Sequence, residues 1–407
     1  MVRGGRDAGA KTVKRVLSLA TLYPNAAQPR FGTFVARQLE ALAARGDWDV
    51  TLINPIGLPP VAFGHYRQLA KSMHNGIENG VTVYRPRFTL IPKWGGTINP
   101  AMITRAVLPL ARKLHAEQPF DLLDAQFFFP DGPATERIAT ALGLPFSIKA
   151  RGADISYWGK LASPKKQMLA AAEKAAALLS VSGALAKDMA QIGLPSDKIT
   201  IHYTGLDRAL FLPRDTTDSR KSLRSALNLA IPDDAPLLTT VGALIPRKGQ
   251  RLVIESLLQI ERAHLLIVGT GPDAVLLKQL AGELGVEERV HFLGSLDHDM
   301  LPVVLNAADA MVLPSASEGL ANAWVESLAC GTPLVITKAG GAAELVRHPS
   351  AGQIVERNAP AIASGIKEVL GNAYSAQEVA ANVSNFSWEN NAAQLADYFT
   401  KVASRSN

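Results

Sequence analysis

Ala310-Met311-Val312-Leu313-Pro314-Ser315-Ala316-Ser317-Glu318-Gly319-Leu320-Ala321-Asn322-Ala323-Trp324-Val325-Glu326-Ser327-Leu328-Ala329-Cys330-Gly331-Thr332-Pro333 is the stretch on which the fold turns. It opens as an apolar run of strand length, passes through a loop of small residues, and continues as a helix pattern that stops at a glycine. Glu318 falls in the loop, and Glu326 about two turns into the expected helix. Between them lie the backbone N–H groups of Gly319, Leu320, Ala321 and Asn322. At a helix start such groups have no intrahelical partner and favour anions. Carboxylates hold sugar hydroxyls, and N–H groups hold phosphate or hydroxyl oxygens, so the pair suits a ligand that is both sugar and phosphate. Two solvated glutamates on an ordinary strand–loop–helix would read the same in isolation, so the surroundings decide.

Outward from this stretch, apolar strand-like runs alternate with helix-like segments, the pattern of parallel sheets covered by helices. Strands are expected at 14–20, 49–53, 81–84, 121–126, 145–149, 178–181 and 199–203, then at 237–241, 265–268, 290–293, 310–313 and 333–336. Phe34 to Ala44 reads as an amphipathic helix with Phe34, Val35, Leu39 and Leu42 on one side; Ala101 to His115 and Lys165 to Ala177 read as helices too. A break rich in turn formers falls at about 204–236. The chain therefore reads as a disordered basic lead (1–13), a first doubly wound Rossmann-like half (14–205), a second (206–385), and a terminal docking helix (386–407) with Leu395, Tyr398 and Phe399 on its apolar face. Ligands of such sheets bind at the C-terminal ends of the strands, which places a site in a cleft between facing halves.

Composition narrows the class. With 407 residues, 47% hydrophobic and 19% charged, the chain is globular and long enough for two cores. Its one cysteine, Cys330, excludes a disulfide framework, and the eight histidines show no metal-ligand spacing. No apolar run reaches the length of a membrane span and no signal peptide is evident, so a cytoplasmic location is expected. Charge is uneven: residues 1–205 hold 25 Lys and Arg against 14 Asp and Glu, and the remainder 17 against 22. A basic half implies an anionic partner. Its cations are scattered (Arg67, Lys71, Arg105, Lys165, Lys166), which argues against nucleic acid. Lys93-Trp94 and Arg112-Lys113 set charge beside apolar neighbours, as an anionic membrane surface would want.

Other constellations sit where strands end. Arg247 and Lys248 follow the strand that stops at Gly242, where a diphosphate would be neutralised. Gly269-Thr270-Gly271-Pro272 resembles the start of a dinucleotide fingerprint, but Ala274 replaces its third glycine, which argues against a nicotinamide site. Gly340-Gly341 is either a close approach of backbone to ligand or a simple turn. In the first half, Gly32 opens a helix whose N–H groups could face a phosphate. Asp131 lies in a turn at a strand end, and Arg151 and Asp154 follow the next strand, either pointing into the cleft or forming a loop salt bridge.

Together these motifs resemble the retaining glycosyltransferases of the GT-B fold, family 4, across essentially the whole chain from about residue 14. Glu318 to Glu326 with Cys330-Gly331-Thr332-Pro333 and Gly340-Gly341 looks like that family's donor signature. Tyr23-Pro24, Phe31-Gly32-Thr33-Phe34-Val35, Pro130-Asp131-Gly132 and Arg151-Gly152-Ala153-Asp154 resemble members that build bacterial exopolysaccharides. The resemblance implies a GT-B α/β fold with the last helix returning to the N-terminal domain, and a metal-independent hexosyl transfer. The donor would be a UDP- or GDP-linked sugar and the acceptor a polyprenyl-diphosphate-linked glycan at the inner face of the cytoplasmic membrane. Glu318 would contact the donor sugar, Glu326 the ribose, and Arg247 and Lys248 the leaving diphosphate. Gly32, Gly242, Gly271 and the N–H groups of Gly319 to Asn322 would complete the donor site, with Asp131, Arg151 and Asp154 on the acceptor side. Many relatives carry His-Gly where this chain has Arg151-Gly152; arginine cannot act as a base near neutral pH, so Arg151 is expected to bind a substrate anion. Two other readings are a nucleotide-sugar 2-epimerase, which would need a cleft rich in acids and histidines, and a degenerate subunit that binds donor without transfer.

Overall fold

A computed structural model describes residues 13–91 and 96–404. The expected disordered lead up to residue 12 and the Lys93-Trp94 pair lie outside them. The chain divides into two compact units. One runs to Val181 and takes in Leu185–Gly205 and Trp388 onward; the other comprises Ser182–Ala184 and Leu206–Ser387.

The first unit holds strands β1 (Lys14–Leu19), β2 (Trp48–Ile53), β3 (Ile56–Leu58), β4 (Gly76–Glu78), β5 (Val81–Tyr84), β6 (Arg87–Thr89), β7 (Leu122–Ala125), β8 (Phe146–Ala150), β9 (Ala177–Ser180) and β10 (Ile199–Ile201). Eight of them form one sheet in the order β10-β9-β8-β7-β1-β2-β5-β4, and β3 pairs with β6 apart from it. All pairings are parallel except that of β4 with β5. Strand order reverses between β1 and β7, so the loops leaving those strands part there and open a crevice. The terminal helix, Trp388–Ala403, belongs to this unit: Leu395, Ala396, Phe399 and Val402 are buried with Val16, Leu39, Leu42 and Trp48. Phe399 meets Trp48 edge to face at 5.6 Å. The chain leaves the unit at Gly205 and returns at Trp388, and a Cβ on Gly205 would lie 2.1 Å from the Trp388 ring, so only glycine fits.

The second unit is a six-stranded, wholly parallel sheet of β11 (Leu237–Val241), β12 (His264–Val268), β13 (Val290–Gly294), β14 (Ala310–Leu313), β15 (Leu334–Thr337) and β16 (Gly352–Val355). Its order, β13-β12-β11-β14-β15-β16, is that of a dinucleotide-type doubly wound sheet, with the reversal between β11 and β14. Both faces are covered, and β14 and β15 are buried throughout, as continuous Val, Ile and Leu runs require.

Three expectations need correction. The helix expected over Lys165 to Ala177 spans Ala162–Lys174, and Ala177 opens β9. The break at 204–236 contains a helix, Thr216–Leu227, started by the Asp215 carboxylate accepting the Asp218 N–H at 2.9 Å. The helix after Glu318 begins at Asn322, which puts Glu326 one turn into it, not two. The short β3, β4 and β6, and β16, have no counterpart among the expected strands.

Candidate active site

In the second unit the candidate residues collect at the reversal point. β11 is followed by Gly242; the chain then turns through Pro246–Lys248 to Gly249, whose φ is 79°. A Cβ there would stand 2.5 Å from the Pro314 carbonyl oxygen, so this left-handed glycine lets the β11 loop lie against the end of β14. The Arg247 carbonyl accepts the Ala316 N–H at 2.7 Å, joining the two loops. Lys248 Nζ then lies 2.6 Å from Glu318 Oε1 and Arg247 Nη1 3.4 Å from Oε2, with the same Arg247 nitrogen donating to the Ser317 carbonyl. Only 9% of the Glu318 side chain is exposed. Two cations share one carboxylate, so the cluster retains a net positive charge to offer a phosphate.

The glycine pair left open as ligand approach or turn proves to support the loop that bears Glu318. Gly340, at φ 51°, has its missing Cβ position 2.2 Å from the Glu318 carbonyl oxygen, and the Gly341 N–H donates to the Gly319 carbonyl at 2.9 Å. The carbonyls of the loop are thus tied down, while the N–H groups of Gly319, Leu320, Ala321 and Asn322 donate to no protein group among the described residues. They remain available at the start of the helix Asn322–Ala329. On that helix Trp324 is fully buried with an unpartnered indole N–H. Glu326 is partly buried and has no ion-pair or hydrogen-bond partner for its side chain among the described residues. Desolvation pushes the Glu326 carboxyl up to about 7. Gly269 and Gly271 serve packing: their Cβ positions would meet the carbonyl oxygens of Gly242 at 1.9 Å and Leu244 at 2.2 Å. The β11 and β12 loops can therefore stack, joined by the Leu244 N–H to the Thr270 carbonyl at 2.9 Å. A cavity of about 460 Å³ lies at the opposite, N-terminal edge of the sheet, lined by Arg220, Asp309 and Tyr374; of the signature stretch it takes in only Gly331 and Pro333, and none of the residues expected to touch a ligand.

In the first unit Gly32 caps the helix Thr33–Ala44 with φ 76°, and a Cβ there would lie 2.5 Å from the Leu22 carbonyl carbon. No side chain caps this helix, so its first N–H groups are open to an anion. Two acceptor-side candidates are taken up by hydrogen bonds within the fold. Asp131 is fully buried and accepts the Thr21 N–H at 3.1 Å and hydroxyl at 2.8 Å; burial holds its carboxyl at about 7. Asp154, also fully buried, accepts N–H groups from Phe128, Arg151, Gly152 and Ile155, the work of a loop organiser. The loop salt bridge is therefore not formed: Asp154 holds the Arg151 backbone, and the guanidinium goes elsewhere. Its Nε donates to the Gln126 carbonyl at 2.8 Å and its Nη2 to Gln126 Oε1 at 2.6 Å, with the ring of Phe34 4.8 Å beneath. Burial lowers its pKa to about 10, so it stays cationic at neutral pH.

Sequence reasoning misses Gln38, Gln126 and His202, and reads Lys149 only as the last residue of a strand. Lys149 sits inside β8, and all four are buried. The available signal is a polar residue in an otherwise apolar stripe: Gln38 between Val35 and Leu39, and Lys149 after Ile148 in a central strand.

Comparison with known proteins follows the same division. Residues 31–210 match the family model described as Glycosyltransferase Family 4, and residues 225–387 that described as Glycosyl transferases group 1. The chain is 27% identical over 364 residues, 86% of its length and 88% of the relative's, to the putative teichuronic acid biosynthesis glycosyltransferase TuaC of Bacillus subtilis. It is 31% identical over 210 residues, 47% of this chain and 54% of the relative, to a GDP-mannose-dependent alpha-(1-6)-phosphatidylinositol monomannoside mannosyltransferase of Mycolicibacterium smegmatis. Sucrose-phosphate synthase from Thermosynechococcus elongatus has a similar structure, with a TM-score of 0.77 over 96% of this chain and 100% of that one at 20% identity. Anabaena HepE, solved with UDP and glucose, gives 0.70 over 95% and 99% at 21%. These structural likenesses speak for the fold alone.

Proposed function

The chain belongs to the family 4, group 1 glycosyltransferases of the GT-B fold, and on that footing we propose that it moves a hexose, with retention, from a UDP- or GDP-linked sugar to a polyprenyl-diphosphate-linked glycan in bacterial exopolysaccharide or cell-surface polysaccharide synthesis. The observation that carries the proposal is the Lys248–Glu318–Arg247 cluster at the sheet's reversal point. When the donor arrives, its diphosphate takes over the two cations and Glu318 turns to the sugar hydroxyls. As the bond from C1 to the phosphate oxygen breaks, the electron pair leaves on that oxygen. Arg247, Lys248 and the open N–H groups of Gly319 to Asn322 are already aimed at such charge, which is preorganised electrostatic stabilisation. The acceptor hydroxyl bonds to C1 from the same face and passes its proton to the departing phosphate oxygen. Glu326 holds the ribose, and no metal is required. Arg151, the one acceptor-side candidate left with an outward-facing role, binds an acceptor anion.

The acceptor and its membrane setting have separate support. A relative that matches 86% of this chain's length is named for teichuronic acid biosynthesis. Among the described residues no helix is long and apolar enough to cross a membrane. However, β3 and β6 run parallel, and the loops that leave them expose Val61 (75%), Phe63 (58%) and Ile91 (43%) from the same end. Arg67 and Lys71 follow on the helix His65–Lys71, which buries nothing. An apolar tip flanked by cations fits peripheral binding at the inner face of an anionic membrane.

The test uses Glu318→Gln. Titrated with UDP and GDP, the variant is expected to bind its nucleotide at least as tightly as the wild type, because the cations lose their competing carboxylate. Hexose transfer should fall about 100-fold, the usual scale for one preorganised polar group. A variant that transfers as fast as the wild type sinks the assignment.

A further inference from the structure

A chain of buried polar side chains in the first unit plays no part in the reaction as proposed. Lys149 is 1% exposed, and its Nζ lies 2.7 Å from Gln38 Oε1 and 2.7 Å from His202 Nδ1. His202 is 2% exposed, and its Nε2 lies 2.9 Å from the Asn391 carbonyl oxygen in the terminal helix. A carbonyl can only accept, so Nε2 carries the hydrogen and the Nδ1 lone pair faces the lysine. Asn391 is held in turn, its Nδ2 donating to the Tyr203 carbonyl at 2.6 Å.

At its other end the chain reaches Arg151 through two amides, each with two possible orientations. Gln38 Nε2 donates to Gln126 Oε1 at 3.1 Å, and Gln126 Nε2 donates to Asp124 Oδ2. A protonated lysine only donates, and an ionised carboxylate only accepts. With Lys149 at one end and Asp124 at the other, both glutamines must point the same way round. Both amide oxygens then face Arg151 Nη2, Gln126 at 2.6 Å and Gln38 at 3.4 Å. If Gln38 turned over, its NH2 group would face the guanidinium and repel it. Nη1 makes no hydrogen bond within the protein among the described residues and is not a buried, orphaned atom, so it is the side of the guanidinium left to a ligand.

We propose that Lys149 is a positioning residue: through Gln38 and Gln126 it fixes the Arg151 guanidinium for an anionic group on the acceptor, and through His202 it makes the terminal helix part of that support. A buried lysine with no carboxylate in contact is costly to fold, and an apolar residue of similar volume is often neutral or stabilising at such a site. A structural role alone therefore predicts little from Lys149→Met. The positioning role predicts a selective loss on the acceptor side.

The inference rests on reading Arg151 as the acceptor-anion residue, and the experiment separates the two. Full-length wild type, Lys149→Met, Arg151→Met and the double variant are titrated with farnesyl diphosphate, a soluble polyprenyl diphosphate, in the presence of saturating UDP or GDP. Lys149→Met and Arg151→Met are each expected to weaken probe binding about tenfold, and the double variant no more than Arg151→Met alone, since residues acting as one unit are not additive. Nucleotide affinity and melting temperature should hold in Lys149→Met. His202→Phe, which keeps a ring and removes both nitrogens, should show the same selectivity at about threefold and serves if Lys149→Met does not fold. Wild-type probe affinity in Lys149→Met, or a double variant that loses the full sum, overturns the proposal. Wild-type affinity in Arg151→Met, or a wild type that never takes up the probe, overturns the acceptor reading and the proposal with it. The nucleotide titration reports on the donor site independently: failure there appears as absent UDP and GDP binding with Arg151-dependent probe binding intact.

Discussion

Glu326 illustrates what burial costs a carboxylate that has no partner among the described residues. Its carboxyl is raised from 4.5 to about 7 by desolvation, and no cation offsets the burial. An acid with a raised folded pKa weakens the native state as pH climbs: below about 4.5 both states are protonated and nothing is lost, and from there to about 7 the unfolded chain ionises first. Above that window the full penalty stands, on the order of 3 kcal/mol as an upper bound. Glu326→Gln is therefore expected to melt higher than the wild type at pH 8 and at the same temperature near pH 4, while losing nucleotide-sugar affinity. A stability difference that does not change with pH counts against this account. A hydroxyl ligand that restored the missing hydrogen bonds would reverse the penalty on binding. Both glutamates are visible in the sequence, but not that one is held by two cations and the other, among the described residues, by none.

At the scale of elements, the loop from Ser315 to Ala321 is positioned by what lies under it. Gly340 reaches the Glu318 carbonyl so closely that a methyl group cannot be admitted without moving the loop. Gly340→Ala adds that clash to a φ of 51° and should cost about 1–3 kcal/mol. Denaturant unfolding measures the loss. Nucleotide binding should weaken as well, unlike in Glu318→Gln, because the N–H groups move. An alanine variant as stable as the wild type would show that the loop has room to give. Elements also explain where sequence reading falls short. Strands buried on both faces are long apolar runs and are legible. The helix Thr216–Leu227 is not, because Asp, Thr and Ser favour turns and N-caps for the same reason: their side chains bind nearby backbone N–H groups. Three-residue strands such as β3 and β6 are too short to show a period. The acceptor-side aspartates carry a motif's spacing but no sign of their burial, which depends on Thr21 and on four backbone N–H groups that only the fold brings near.

For the whole molecule, charge and apolar exposure combine into a prediction about surfaces. The protein should co-sediment with vesicles containing phosphatidylglycerol at low salt, detach as salt rises, and ignore vesicles of phosphatidylcholine alone. Phe63→Ser should weaken this several-fold, with nucleotide binding unchanged, because the exposed tip is in the first unit and the donor cluster in the second. Equal binding by the serine variant would move the contact elsewhere. Of the five tryptophans in the chain, only Trp324 lies in the second unit. It is fully buried, its indole N–H has no acceptor among the described residues, and two residues on along the same helix stands Glu326. The second unit thus has a built-in optical probe. With the other four indoles replaced by phenylalanine, short-wavelength emission would come from this ring alone. Its intensity would follow the helix that carries Glu326 as nucleotide is added, without any label attached.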